Sequence, residues 1–234
     1  MLPKGIIIDC CCVLIGINIG SMIKNHIPTH IKYSMNIIFG IAAILIGIVS
    51  MIKLNSLPAV ILALILGALL GEILSLDKKI RNFFQNILNK LNFDIPGDKE
   101  AYMHFYLLVT VTLCASGTNI FGAINEGITG DMTILLSKAV MDIFASVIFA
   151  ATLGYPMNLI VIPQFIILTI IFYLSQFIIP FISPDMMKDF IAVGGILTFV
   201  LGLSIAQIKH ISAINLLPAL ILIWPCSKLF SLII

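Results

Sequence analysis

Eight stretches of this chain, at about residues 5–23, 33–52, 57–76, 103–125, 132–154, 157–181, 190–208 and 212–233, are almost wholly apolar. Each has about the 20 residues that a helix needs to cross the roughly 30 Å hydrocarbon core of a bilayer. Hydrocarbon offers no partner to a bare N–H or C=O, so a segment entering it must close its hydrogen bonds internally. The expected fold is therefore all-α: one polytopic transmembrane domain, residues 1–234, of about eight helices.

The composition agrees. Apolar residues make up 60% of the 234 positions and charged residues 10%, against roughly 45–50% and 25% in soluble domains. The formal charge of +2 is small and scattered, which gives no basis for binding nucleic acid. The histidines, His26, His30, His104 and His210, fall near expected helix ends. The cysteines are Cys10, Cys11, Cys12, Cys114 and Cys226. No CxxC spacing occurs, so neither a disulfide framework nor a zinc site is expected. No P-loop, dinucleotide fingerprint, heme motif or nucleophile–base pair is present. The expectation is a protein that is not an enzyme and holds no cofactor or metal, with the lipid bilayer and a small solute or ion as its partners. Lys4 before an apolar run resembles the start of a signal peptide. The run from Gly5 to Ile23 lacks a convincing cleavage site and is long enough to span, so it is read as span 1.

Lys and Arg set the orientation. With eight crossings, Lys24, Lys32, Lys78, Lys79, Arg81, Lys90, Lys99 and Lys209 fall on one side. Lys4, Lys53, Lys138, Lys188 and Lys228 fall on the other. The richer side is expected to be cytoplasmic, which puts both termini outside. Residues 77–102 form the one sizeable polar connector, on the cytoplasmic side. Within it, Ile80, Phe83, Phe84, Ile87, Leu88 and Leu91 recur at helical spacing, with Lys78, Lys79, Arg81 and Lys90 on other faces. That pattern suits a helix lying in the headgroup layer; a helix that docks a partner is the alternative.

The chain also repeats itself. NSLPAVIL at 55–62 matches NLLPALIL at 215–222, IIFGIAAILIG at 37–47 resembles AVGGILTFVLG at 192–202, and IPTHIK resembles ISPDMM ahead of each copy. Spans 1–3 (5–76) therefore look duplicated as spans 6–8 (157–234), around a central pair at 103–154. Five spans precede the second copy, so it would enter from the opposite face. Such inverted repeats are common in secondary transporters. Chance likeness between apolar helices is the competing reading.

The polar residues gather in the central pair. Ser116, Gly117, Thr118 and Asn119 interrupt span 4, and glycine weakens a helix by about 1 kcal/mol relative to alanine. A discontinuous helix facing a cavity is one reading; small residues that let helices pack closely is the other. Asn125, Glu126 and Gly127 read as the turn leaving span 4, with Glu126 as an acid at the mouth of a pocket, or as a solvated loop carboxylate. Asp131 is placed to cap span 5. Lys138 and Asp142 lie i, i+4 on one face of span 5, near mid-bilayer. A charge there is costly unless it faces protein or water. Either the two form a structural ion pair, or they bind a coupling H⁺ or Na⁺. Asp9, in span 1, is read as pairing with Lys4 at the interface, with an inward position as the alternative. Glu72 is read as a boundary marker, and Pro163, Pro180 and Pro225 as kinks or helix ends.

Six of these stretches together resemble a known family: IGINIG in span 1, GALLGE (67–72), GAINEGITGD (122–131), KAVMD (138–142), AVGG (192–195) and NLLPAL (215–220). They resemble the bacterial membrane proteins grouped as domain of unknown function 554, often labelled as candidate transport proteins. The resemblance runs over nearly the whole chain and implies a multi-pass protein of the bacterial cytoplasmic membrane. Its pattern matches Gly117, Gly122, Glu126, Gly127, Gly130, Asp131, Lys138 and Asp142, and it supplies no catalytic residues. The chain departs from it at Asp9, where Asn is expected, and at Thr118–Asn119, where small apolar residues are.

The function expected is a small secondary transporter using alternating access, with a channel or a non-transporting scaffold as the other classes. Ser116, Gly117, Thr118, Asn119, Glu126, Lys138 and Asp142 are the candidate solute- or ion-binding residues. A homodimer is expected by analogy. Cysteines placed at Ser50 and Ser212 and probed with an impermeant thiol reagent should label from opposite sides of the membrane; labelling from one side would remove the inverted arrangement.

Overall fold

The computed structural model describes residues 2–24, 26, 28–90, 99–178, 182–209 and 211–233. These fold into α1 (Lys4–Met22), α2 (Thr29–Met51), α3 (Leu57–Ile73), α4 (Leu76–Lys90), α5 (Lys99–Ala115), α6 (Gly117–Thr129), α7 (Thr133–Leu153), α8 (Val161–Ile178), α9 (Pro184–Ile205) and α10 (Ala219–Ile233). Short 3-10 turns at Tyr155–Ile160 and Ala213–Leu216 lead into α8 and α10. Among the described residues there is no strand. His210, Leu91 and Pro180 lie outside the described residues, as does part of the 77–102 connector.

Seven helical runs are long and apolar enough to cross a membrane: α1, α2, the α5–α6 run, α7, the turn with α8, α9, and the second turn with α10. The expected third span is shorter than its apolar run. α3 has 17 residues and meets the test only together with α4, from which it is bent by 53°. The helix ends there because Ser75 takes a φ of 49°, outside the helical region. Its N–H bonds back to the Glu72 carbonyl at 2.9 Å. Span 7 begins earlier than expected, at Pro184. Ser183 stands in extended conformation and its hydroxyl accepts from the Met186 N–H at 3.2 Å, an N-cap followed by proline at the first helical position.

The described chain gathers into two compact units, Met1–Phe39 with Asn92–Phe177, and Gly40–Leu91 with Ile178–Ile234. In the first unit α1 lies against α7. A Cβ on Gly16 would stand 2.5 Å from the Ile143 carbonyl oxygen, and one on Gly20 would stand 2.1 Å from that of Val147. Gly5 faces Met132 and Leu135. Contacts that climb together along both helices make the pair parallel. Close backbone approach through small residues is the means by which helices associate where lipid removes the hydrophobic drive. At the far end of α7, Gly154 adopts a φ of 75°, which permits the sharp passage into the 3-10 turn.

In the second unit the outer half of α2 runs antiparallel to α9. Gly40 abuts Gly202 and Ala206, and Gly47 abuts Gly195, with hypothetical Cβ atoms 2.5–2.8 Å from the facing backbone. α3 runs antiparallel to the last turn and helix, with Gly67 on Ala219 and Gly71 on the Asn215 carbonyl. Phe190 of α9 stacks on Trp224 of α10 at 4.7 Å.

Outward faces are greasy throughout: Ile41, Leu45, Ile65, Leu69, Phe144 and Ile170 are all more than half exposed. That is the surface a lipid solvent requires. Replacing Gly20 by Ala should lower stability in detergent by about 1–3 kcal/mol through overpacking. Ile41→Ala, on the exposed face of α2, should stay within about 0.5 kcal/mol; thermal unfolding of both variants measures the difference.

Candidate functional site

The first unit holds the polar groups that a hydrocarbon environment must account for. Lys138 and Asp142 of α7 form a buried ion pair between the ammonium and Asp142 Oδ1, with side chains 9% and 5% exposed. One helical turn separates them, so α7 itself sets the pairing. Asp142 Oδ2 has no hydrogen-bond partner. A turn further along, Ser146 is wholly buried with its hydroxyl likewise unpartnered.

Asp9 joins them. It is 0% exposed on α1, and its Oδ2 accepts from Gln164 Nε2 of α8 at 2.9 Å. The charges of Asp142 and Lys138 both act on it. The expected pairing with Lys4 at the interface is thus replaced by an inward position, because the parallel packing of α1 on α7 turns this face of α1 into the protein. Gln164 went unnoticed in the sequence. Its one signal is a lone amide in an otherwise apolar run, directly after Pro163.

The interruption of span 4 falls at a single residue. Ser116 has φ −64° and ψ 144°, and its hydroxyl accepts from the Asn119 N–H at 3.3 Å as the N-cap of α6. Thr118 Oγ1 lies 3.4 Å from the same hydroxyl. Asn119, 0% exposed, donates its side-chain amide to the Leu113 carbonyl. The break therefore supplies much of its own hydrogen bonding, with Gly117 opening the new helix. Asn119 Oδ1 is left without a partner.

Residues 125–127 are not the turn that their composition suggests. α6 continues to Thr129 and ends at Gly130, whose φ of 74° is the left-handed C-cap. Gly127 serves packing: a Cβ there would lie 2.2 Å from Ser175 Oγ and 2.5 Å from the Phe172 carbonyl on α8. Glu126 is buried rather than at a pocket mouth, and its Oε1 accepts from the Gly5 N–H at 2.7 Å. It caps α1, where a carboxylate also meets the positive end of the helix dipole. Beyond Gly130, Asp131 Oδ1 accepts from both the N–H and the hydroxyl of Thr133. These bonds hold its exposed carboxyl below the ordinary range.

The second unit has a matching device that sequence reading missed. Asp189 of α9 is 0% exposed, and its Oδ1 accepts from the N–H groups of Asn55 and Ser56 at 2.9 and 2.7 Å. Its Oδ2 accepts from Ser227 at 2.6 Å. Glu72, read as a boundary marker, is exposed, and its Oε1 accepts from Asn215 Nδ2 at 2.8 Å.

The candidate residues thus divide. Lys138 and Asp142 meet each other, within electrostatic reach of Asp9; Ser116, Thr118 and Asn119 meet one another and their own backbone; Glu126 meets the start of α1. Among the described residues no group of three or more His, Cys, Asp or Glu is placed to hold a metal ion. Apolar helices of this length around a buried ion pair define a multi-pass helical membrane protein. Residues 4–228 match the family described as "Protein of unknown function (DUF554)", and the chain belongs to it. It is 41% identical over 230 residues to the uncharacterized protein YqgA of Escherichia coli K12, covering 95% of each chain. It is 27% identical over 222 residues to the uncharacterized membrane protein YdfK of Bacillus subtilis 168, covering 93% of each. No solved structure matches.

Breaking the buried pair on one side leaves an uncompensated charge, which is worth about 3–5 kcal/mol. Lys138→Met and Asp142→Leu should each destabilise by that order, and the double variant should recover most of the loss. A double-mutant cycle on unfolding in detergent reads the coupling directly.

Proposed function

We propose that the chain is a small secondary transporter of the bacterial cytoplasmic membrane, moving a small solute or ion by alternating access with H⁺ or Na⁺ as the coupling ion. The observation that carries this reading is the Lys138–Asp142 pair with Asp9 beside it. Three ionisable groups buried among apolar helices are expensive to keep, and such groups characteristically line ion and proton pathways. Catalysis and cofactor binding have no place in this reading. The name of the Bacillus subtilis relative, a membrane protein, supports the location.

Helix directions support eight crossings rather than seven. Within the first unit α1 and α7 run parallel, which requires an odd number of crossings between them. α2, α3 and the α5–α6 run supply three; without α3 the pair would be antiparallel. Within the second unit, antiparallel α2 and α9 lead to the same count. An even total puts both termini on one side, outside by the distribution of Lys and Arg.

The inverted repeat also draws support. Gly40 and Gly47 correspond in the duplicated stretches to Gly195 and Gly202, and each touches the other's counterpart. Reciprocal contact of this kind is the mark of a two-fold relation between the two parts. Secondary transporters commonly rock such halves about a site between them.

A thermal-shift screen of purified protein against ions, amino acids, organic acids and sugars tests the reading. A ligand that stabilises at 100 times its Kd contributes about 2.7 kcal/mol. The same ligand should then accumulate in proteoliposomes only when an H⁺ or Na⁺ gradient is imposed. Current without coupling would identify a channel, and no ligand at all would favour a scaffold presenting the exposed Lys78, Lys79 and Phe83 of α4.

A further inference from the structure

One contact in the first unit has a chemistry that the candidate residues read from sequence do not cover. Asp9 and Gln164 are both 0% exposed and joined by one hydrogen bond, Nε2 to Oδ2 at 2.9 Å. Beside it, Asp9 Oδ1 and Gln164 Oε1 have no donor. An ionised carboxylate is acceptor-only, and an amide oxygen is also an acceptor. Each side chain thus carries one unpartnered acceptor oxygen beside the bond that joins them, both of them buried.

The charges around the pair sharpen the point. α7 contributes Lys138 and Asp142, which neutralise each other through their own bond. Glu126 of α6 is engaged by the Gly5 N–H, one turn before Asp9. Cys10 follows Asp9 on α1, and the Cys114 thiol of α5 lies 3.9 Å from the Ile160 carbonyl. α8 brings Gln164, an uncharged amide. With all three ionised, Asp9, Asp142 and Lys138 sum to one negative charge. An isolated buried charge is neutralised rather than kept.

We propose that Asp9 and Gln164 form a proton-binding site. A proton taken from water forms an O–H bond at Asp9 Oδ1, and that O–H donates to Gln164 Oε1. The result is a cyclic acid–amide pair with two parallel hydrogen bonds and no net charge. Releasing the proton breaks only the new O–H bond, with no change of oxidation state. Asp142 Oδ1 is already engaged by the Lys138 ammonium, so the proposal puts the exchangeable proton on Asp9 and not on the pair read from the sequence. The site stands whether or not the chain carries a solute, and it gives the proposed transporter H⁺ rather than Na⁺ as its ion.

The two members stand 155 positions apart, a spacing that recurs. From 40 to 195, from 47 to 202 and from 9 to 164 the step is the same, 155 positions. The alignment of IIFGIAAILIG (37–47) with AVGGILTFVLG (192–202), extended backward at that step, sets Asp9 against Gln164, while the NSLPAVIL and NLLPALIL stretches stand 160 positions apart. Each part supplies one half of the site.

Infrared spectroscopy of the full-length protein in lipid nanodiscs tests the proposal through the carbonyl stretch of a protonated carboxylic acid. At neutral pH in sodium-free buffer the wild type should show this band and Asp9→Asn should lack it. Gln164→Leu should keep it at higher frequency, since the O–H then loses its acceptor. Unfolding gives a second measurement, because Asp9→Asn retains a side-chain amide facing Gln164. The wild type should lose stability as pH rises and the proton leaves, while Asp9→Asn should not. A band that survives Asp9→Asn, or no band in the wild type, would overturn the proposal. A band that 100 mM Na⁺ abolishes at fixed pH would also overturn it, in favour of a metal cation between the two oxygens. If Asp9→Asn failed to fold, an unshifted band in Gln164→Leu would overturn it and a shifted one would support it.

Discussion

Hydrocarbon supplies no hydrogen bonds, and that constraint accounts for the carboxylates that this chain places at the starts of its helices. The first N–H groups of a helix have no partner within it. In water they are solvated; here, carboxylates from elsewhere in the chain supply partners. Glu126 reaches across the first unit to the start of α1, and Asp189 reaches across the second to the residues just ahead of α3. Each bond ties together segments more than a hundred positions apart, so the same act that satisfies a helix end also fixes a tertiary contact. The break at Ser116 solves the problem locally, with its hydroxyl accepting from one N–H of the new helix and the Asn119 amide donating to a carbonyl of the old one.

The second consequence of a lipid solvent is that side-chain burial alone gives helices little reason to associate. Contact has to come from close packing and polar bonds. Gly16 and Gly20 on α1, and Gly40, Gly47, Gly195 and Gly202 in the second unit, bring backbone against backbone. Where the backbones meet this closely, the large side chains are turned outward, which is why so many Ile and Leu residues are exposed.

Much of this was legible in the amino-acid sequence, for reasons that differ from element to element. The apolar runs declare themselves by length, and Lys138–Asp142 by an i, i+4 spacing that any helix brings together. The helix interruption was visible in Ser116 to Asn119, although only one of the four residues leaves the helical conformation. Asn125 to Gly127 misled because Asn and Gly are turn formers in isolation; nothing local reveals that Gly127 clears space for α8. Asp9 misled for a similar reason. Lys4 was its nearest cation along the chain, whereas its partner is an uncharged amide on a helix that begins at Val161. Asp189 was passed over in a stretch taken for the approach to span 7, because the N–H groups it serves belong to another part of the chain.

The contact of α1 with α7 has a mechanical consequence. With Gly20 on the Val147 carbonyl and Gly16 on that of Ile143, sliding one helix by a single residue would drive a larger side chain into a gap made for a hydrogen atom. The two helices are keyed like a shaft and its collar. Any movement that keeps these contacts carries α1 and α7 together as one strut.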